Sequence, residues 1–250
     1  MKKLMAANWK MFKTADEAVH TAEELVDVTG VVPQDREVLV FSNFISLSGV
    51  AKTFSAQAGF FCGAQNVYPA KEGAFTGEIS PDMITAAGAG WVLTGHSERR
   101  SILGESSEFV GQKTAFCLEN GLNVVLCIGE TLEERESGRL ESVLRDQLSK
   151  GLAEVPVDIA PDRIAVAYEP VWAIGTGKVA GPAEIRETHA GVRSLLRELL
   201  PAAADNIRIL YGGSVKPDNA SEIISLDNVD GVLVGGASLQ AESFSRIILA

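Results

Sequence analysis

The chain repeats one pattern eight times: a short run of apolar or β-branched residues, a polar or glycine-containing loop, then a longer segment with apolar residues every three or four positions. The runs are Leu4 to Ala7, Val38 to Phe41, Phe60 to Gly63, Trp91 to Leu93, Val124 to Ile128, Ile164 to Tyr168, Ile207 to Tyr211 and Gly231 to Val234. Each is short and bounded by turn residues, as expected of a strand covered on both faces. The intervening segments carry helix punctuation. Thr14 with Glu17, and Thr131 with Glu134, have capping-box spacing, in which hydroxyl and carboxylate satisfy free N–H groups at a helix start. Ser80-Pro81 and Gly181-Pro182 put proline in a first helical turn, where its missing N–H costs nothing. Gly121 ends a helix running to Asn120. From Pro182 to Leu200, the residues Ile185, His189, Val192, Leu195, Leu196 and Leu199 form one apolar stripe opposite a charged face, which predicts a helix laid over the strands.

Regular β/α alternation demands a parallel sheet with right-handed crossovers, either closed or open. The chemically distinctive residues separate these two. Asn8 and Lys10 follow the first run, His96 the fourth, Glu169 the sixth, Ser214 the seventh and Gly235-Gly236 the eighth. An open sheet would spread them along a line, whereas a barrel gathers them around one mouth. The first strand-to-helix turn also lacks the G-x-G-x-x-G of a dinucleotide fold. The expectation is an α/β fold: a closed eight-stranded parallel (β/α)8 barrel formed by residues 1–250 as one domain, with no linker or low-complexity tract dividing it.

Composition narrows the function classes. Apolar residues make up 46% and charged residues 22%, ordinary for a soluble globular protein. No apolar run approaches the roughly 20 residues of a membrane-spanning helix. The apolar stretch after Met1-Lys2-Lys3 stops at Asn8-Trp9-Lys10, too soon for a signal sequence, so the expected compartment is the cytoplasm. Cys62, Cys117 and Cys127 lie far apart without metal-binding spacing and read as buried thiols. A net charge of -11 argues against nucleic acid or an anionic membrane as partner. It also leaves any anionic substrate to be held locally, by a few lysines and backbone N–H groups.

Three stretches carry candidate chemistry. Glu169 is the first charge after the Ile164 to Tyr168 run, and Pro170-Val171-Trp172 stiffens the chain before Ala173-Ile174-Gly175-Thr176-Gly177-Lys178. Stiff ends around a glycine-containing tip describe a lid next to a base; the same residues alone also fit a surface loop with a solvated glutamate. His96 stands at a strand end just before a helix start, where backbone N–H groups disfavour the imidazolium and leave a neutral ring able to donate to a carbonyl; a plain capping histidine is the other reading. Gly212-Gly213-Ser214 and Gly235-Gly236 end the last two runs, the usual place for phosphate in a barrel, although tight turns alone would also require glycine. His20 and His189, on helix faces without accompanying clusters, read as structural.

Taken together, Asn8-Trp9-Lys10-Met11, Gly63-Ala64-Gln65-Asn66, Gly77-Glu78-Ile79-Ser80, Gly95 to Arg100, Cys127-Ile128-Gly129-Glu130, Tyr168 to Lys178, Tyr211 to Ser214 and Asp230 to Ser238 resemble the triosephosphate isomerases in order and spacing from the first strand to the last. The resemblance implies interconversion of dihydroxyacetone phosphate and D-glyceraldehyde 3-phosphate, without cofactor or metal. It implies Glu169 as base, neutral His96 as electrophile and proton shuttle, Lys10 as positive charge for enediolate and phosphate, and Asn8 as an orienting group; these acid–base roles are a standard worked case of tuned catalysis. Backbone N–H groups of Gly175, Ser214, Gly235 and Gly236 would hold the phosphate, and Glu98 would organise Lys10 through an ion pair. The family is dimeric, with the loop after the third strand, here Gln65 to Ile79, entering the partner's site. Phe75, Thr76, Gly77 and Glu78 fit that loop's pattern, and Thr76 would meet the partner's Asn8–Lys10 region; a loop folded on its own barrel is the alternative.

Physical chemistry reaches the same reading. Removing a proton next to a carbonyl needs a placed carboxylate and electrophilic help for the oxyanion that develops. The sequence departs from the family at Ser42-Asn43, where a Pro-Pro pair is usual, which puts the stiffness of the second loop and part of the dimer surface in question. Phe12 and Thr94 are also less usual choices. Two other functions fit parts of the pattern: a barrel aldolase forming a Schiff base at Lys10, and a barrel that binds phosphorylated ligands without catalysis.

Overall fold

A computed structural model describes residues 1–173 and 180–250. Every apolar run forms a strand: β1 (Lys3–Asn8), β2 (Arg36–Ser42), β3 (Phe60–Ala64), β4 (Trp91–Thr94), β5 (Asn123–Ile128), β6 (Ile164–Tyr168), β7 (Arg208–Tyr211) and β8 (Gly231–Val234). Each pairs in parallel with the next, and β1 pairs with β8, so the sheet closes into an eight-stranded barrel. β7 starts one residue later than its apolar run because Ile207 closes a 3-10 turn over Ala204–Asn206.

The helices among the described residues are α1 (Ala15–Thr29), α2 (Phe44–Phe54), α3 (Pro81–Ala86), α4 (Ser97–Ser101), α5 (Ser107–Glu119), α6 (Leu132–Glu136), α7 (Leu140–Gly151), α8 (Pro182–Leu199), α9 (Ala220–Ile224) and α10 (Ala241–Ile248). Both capping boxes form, Thr14 with Glu17 and Thr131 with Glu134. Ser80 accepts from Met83 N at the start of α3, and Pro182 opens α8. No described helix is long and apolar enough to cross a membrane.

Side chains alternate across each strand, and the alternation builds two cores. Leu4, Ala6, Leu39, Phe41, Trp91, Leu93, Val125, Cys127, Ala165, Ala167, Leu210 and Leu233 fill the barrel interior. The intervening residues, among them Met5, Ala7, Val38, Val40, Val124 and Val166, face the helices. At the N-terminal end of the barrel Arg208 donates to Glu37 at 2.7 Å and its guanidinium lies 5.4 Å from the Trp91 ring centre. That end is thus stoppered by an ion pair and an indole. The opposite end carries the loops after the strands and, with them, nearly all the distinctive residues.

Two departures from the family pattern find their place here. The Thr94 hydroxyl bonds that of Thr114 on α5 at 2.9 Å, and Thr114 in turn donates to Val110 O at 2.9 Å, so the buried hydroxyls satisfy each other. Asn43 caps α2, its Oδ1 accepting from Ser46 N at 3.1 Å.

Candidate active site

Glu169 is fixed by its neighbours on both sides. Its N–H donates to Ile128 O at the end of β5, and Gly212 N, just past the end of β7, donates to Tyr168 O, both at 2.7 Å. The fit depends on two glycines. A Cβ at Gly129 would stand 1.7 Å from the Glu169 carbonyl oxygen, and one at Gly212 would stand 2.9 Å from Glu169 Cγ. Pro170 then turns the chain out of the sheet into a 3-10 turn over Val171–Ala173. The start of this turn is held by the buried Glu130. Its Oε1 accepts from Trp172 Nε1 at 2.7 Å, from Tyr168 OH at 3.0 Å and from Arg135 Nη1 at 3.1 Å. Gly175, together with Ile174, Thr176, Gly177 and Lys178 of the expected lid, lies outside the described residues.

Glu169 is only 2% exposed. Oε1 lies 3.0 Å from His96 Nε2, and Oε2 accepts from Ser97 N at 3.0 Å. His96 caps α4, its Nδ1 accepting from Glu98 N at 3.3 Å. An accepting Nδ1 puts the single proton of a neutral ring on Nε2, aimed at the carboxylate, while Glu98 Oε2 lies 3.5 Å from Nδ1. Burial lowers the His96 pKa, but the charge and hydrogen bond of Glu169, with Glu98 further off, raise it more, and the net shift is upward. For Glu169 burial acts upward, while His96, Ser97 N and Lys10 act downward and prevail. Both shifts therefore depend on the contact between the two side chains.

Lys10 and Glu98 pair at 2.6 Å. Lys10 has a backbone φ of 50°, and its stem passes over Gly235, where a Cβ would lie 3.3 Å from Lys10 Cε. Asn8 is buried at the end of β1, its Oδ1 accepting from Lys10 N at 2.9 Å and Gln65 Nε2 at 3.2 Å. Across the mouth, the backbone N–H groups of Gly213, Ser214, Gly235 and Gly236 have no backbone acceptor among the described residues, so they are available to a ligand oxygen. All these groups line one cavity of about 690 Å³ with Asn8, Lys10, His96 and Glu169.

The expected dimer loop divides in two. Gln65 braces its own chain, Nε2 donating to Lys10 O at 2.9 Å and to Phe41 O at 3.2 Å. Phe75, Thr76, Gly77 and Glu78 are exposed and outside the cavity, with Phe75 packed on Tyr68 at 4.3 Å between ring centres.

Sequence reasoning assigned no role to Gly129, Ser97 or Glu130, and it took Gly212 as part of a phosphate turn without foreseeing its packing against Glu169. Gly129 and Glu130 had a usable signal, a glycine and a carboxylate placed directly after an apolar run. For Ser97 the working group is a backbone N–H, which every residue type but proline carries, so no residue pattern marks it.

A profile described as triosephosphate isomerase matches residues 3–250. A protein of that name from Oleidesulfovibrio alaskensis is 78% identical over the whole of both chains. One from Nitratidesulfovibrio vulgaris is 66% identical, again covering all of both. A third, from Lawsonia intracellularis, is 49% identical over all of this chain and 98% of its own. With a closed parallel barrel and a buried carboxylate–imidazole pair at its mouth, the chain belongs to the triosephosphate isomerase family.

Proposed function

We propose that the barrel interconverts dihydroxyacetone phosphate and D-glyceraldehyde 3-phosphate by proton transfer through an enediolate. The observation that carries this reading is the 3.0 Å contact between His96 Nε2 and Glu169 Oε1 inside the mouth that also holds Lys10. Substrate enters between them. Glu169 leaves Ser97 N and takes the proton from the carbon beside the carbonyl, while His96 Nε2–H and the Lys10 ammonium stabilise the charge that moves onto the carbonyl oxygen. His96 then moves a proton between the two oxygens of the enediolate, and Glu169 returns its proton to the neighbouring carbon. Once the carboxylate has left, the larger influence raising the His96 pKa is gone and only the Glu98 charge still acts upward, against burial and Lys10, which favour the neutral ring this step needs.

The free amides of Ser214, Gly235 and Gly236, joined by Gly175, take the phosphate. Residues 170–178 act as the lid. Glu169 adjoins that segment, so closing the lid and bringing the base to the substrate are one motion, and excluding water protects an intermediate prone to lose its phosphate. The site needs only these side chains and amides.

The working unit is a homodimer in the cytoplasm. Met11 (96% exposed), Ile45 (77%), Ile102 (76%) and Phe75 (42%) all follow the C-terminal ends of the first four strands, an apolar surface suited to a second copy.

Purified protein should isomerise triose phosphates in a coupled assay, with Glu169→Asp strongly impaired. An aldolase would form a Schiff base at Lys10, but an ammonium paired at 2.6 Å has no lone pair to attack with. A substrate adduct trapped on Lys10 by borohydride would reverse that assignment, and phosphate binding without turnover would support a non-catalytic barrel.

A further inference from the structure

We propose that Asn43, which stands where the family usually has proline, is a positioning residue for Lys10. The proposal rests on Lys10 acting on the substrate as described above. The loop after β1 holds two lysines in the left-handed region, Lys10 at φ 50° and Lys13 at φ 68°. Neither is glycine, so the conformation persists only where the surroundings hold it.

Besides Asn8 Oδ1, which accepts from Lys10 N at 2.9 Å, three sets of bonds hold the loop. Gln65 Nε2 donates to Lys10 O at 2.9 Å. Lys13 Nζ donates to Leu239 O at 2.9 Å and to Thr21 Oγ1 at 2.8 Å. Asn43 supplies the third set, its Nδ2 donating to Phe12 O and to Lys13 O, each at 3.1 Å. No other described residue bonds those two carbonyls. They flank Lys13 and fix the orientation of the peptides on both sides of it.

The other half of the Asn43 amide belongs to α2, with Oδ1 accepting from Ser46 N at 3.1 Å and Ser46 Oγ at 2.8 Å. One planar group thus joins a helix start to the catalytic loop and makes all its hydrogen bonds in doing so. A proline at this position could stiffen the second loop but has no donor for the first. Without the clamp, the Phe12 and Lys13 carbonyls turn to water and the left-handed turn relaxes. The lysine amine then moves away from Glu98 and from its path over Gly235.

The cap and the clamp separate by substitution. Thr and Asp both cap helices well, but neither offers a donor to the two carbonyls. Asn43→Thr should keep the melting temperature near that of the parent and lower kcat/KM roughly tenfold; Asn43→Asp, which points a carboxylate oxygen at the carbonyls, should lower it further. Affinity for 2-phosphoglycolate, whose planar carboxylate mimics the enediolate, should fall in the same proportion, and affinity for inorganic phosphate should change less than about twofold. In a Lys10→Met background, Asn43→Thr should cost less than about twofold in 2-phosphoglycolate affinity, because the group it positions is gone.

The proposal is overturned by kcat/KM within twofold of the parent in both variants, by equal losses with and without Lys10, or by a loss that vanishes on raising protein concentration. The last would trace the effect to subunit contact through the neighbouring exposed Phe44 and Ile45. Near-parental activity in Lys10→Met alone would overturn the role given to Lys10, and this proposal with it.

Discussion

Gly129 lies against the backbone of Glu169 so closely that a Cβ there would stand 1.7 Å from the Glu169 carbonyl oxygen. The Glu169 carboxylate is therefore placed by a residue of the neighbouring strand end that has no functional group. Gly129→Ala should force β5 and β6 apart at the mouth. Overpacking of this kind costs about 1–3 kcal/mol, and a base displaced by about 1 Å loses on the order of 100-fold in kcat. Thermal denaturation and steady-state kinetics measure the two effects; a parental kcat would show that the strand end yields without moving the carboxylate.

The proposed base and the proposed phosphate site lie after different strands, Glu169 after β6 and the amides without a backbone acceptor among the described residues after β7 and β8. Glu169→Ala should therefore lower kcat by about 10³-fold or more while changing affinity for inorganic phosphate less than about threefold. Glu169→Asp, shorter by one methylene, should keep the charge and lose about 100-fold. Proton exchange from substrate into solvent and phosphate titration read the two properties separately, and a parallel fall in both would mean the roles are misassigned.

His189 gives stability a dependence on pH. Its Nδ1 bonds Asn228 O at 2.9 Å, while Nε2 is buried without a partner among the described residues. Burial, opposed by the Asn228 carbonyl and Asp230 and assisted by Arg193, pushes its pKa from 6.5 down to about 4. Between those values the unfolded chain binds a proton that the folded protein refuses, so stability falls as pH drops through this window, by about 3 kcal/mol in all. Denaturant unfolding of the parent and of His189→Gln at pH 7 and pH 4 should show that loss only in the parent. Parallel loss in both proteins would place the titration elsewhere.

If Phe75 meets a second copy, Phe75→Glu should give a monomer in sedimentation with the parental circular dichroism spectrum and a kcat lowered by at least about tenfold, through a loosened Lys10 loop. A dimer of unchanged stability would assign Phe75 only to its packing on Tyr68.

The amino-acid pattern alone determined the eight strands and most helix starts, because short apolar runs, turn residues and capping residues are local properties, and closure followed from the distinctive residues that stand after the strands. It also marked Glu169, His96, Lys10, Asn8 and the paired glycines as candidates, since a charge or glycine directly after a buried strand is conspicuous. Tertiary structure decided what those residues touch. The resting contact of Glu169 with His96 and Ser97 N, the Glu130 hold on Trp172, the need for glycine at 129 and the Asn43 clamp on the Lys10 loop join residues from different β/α units. No local pattern encodes a distance between two strand ends; that distance exists only once the barrel has closed and brought them to one mouth.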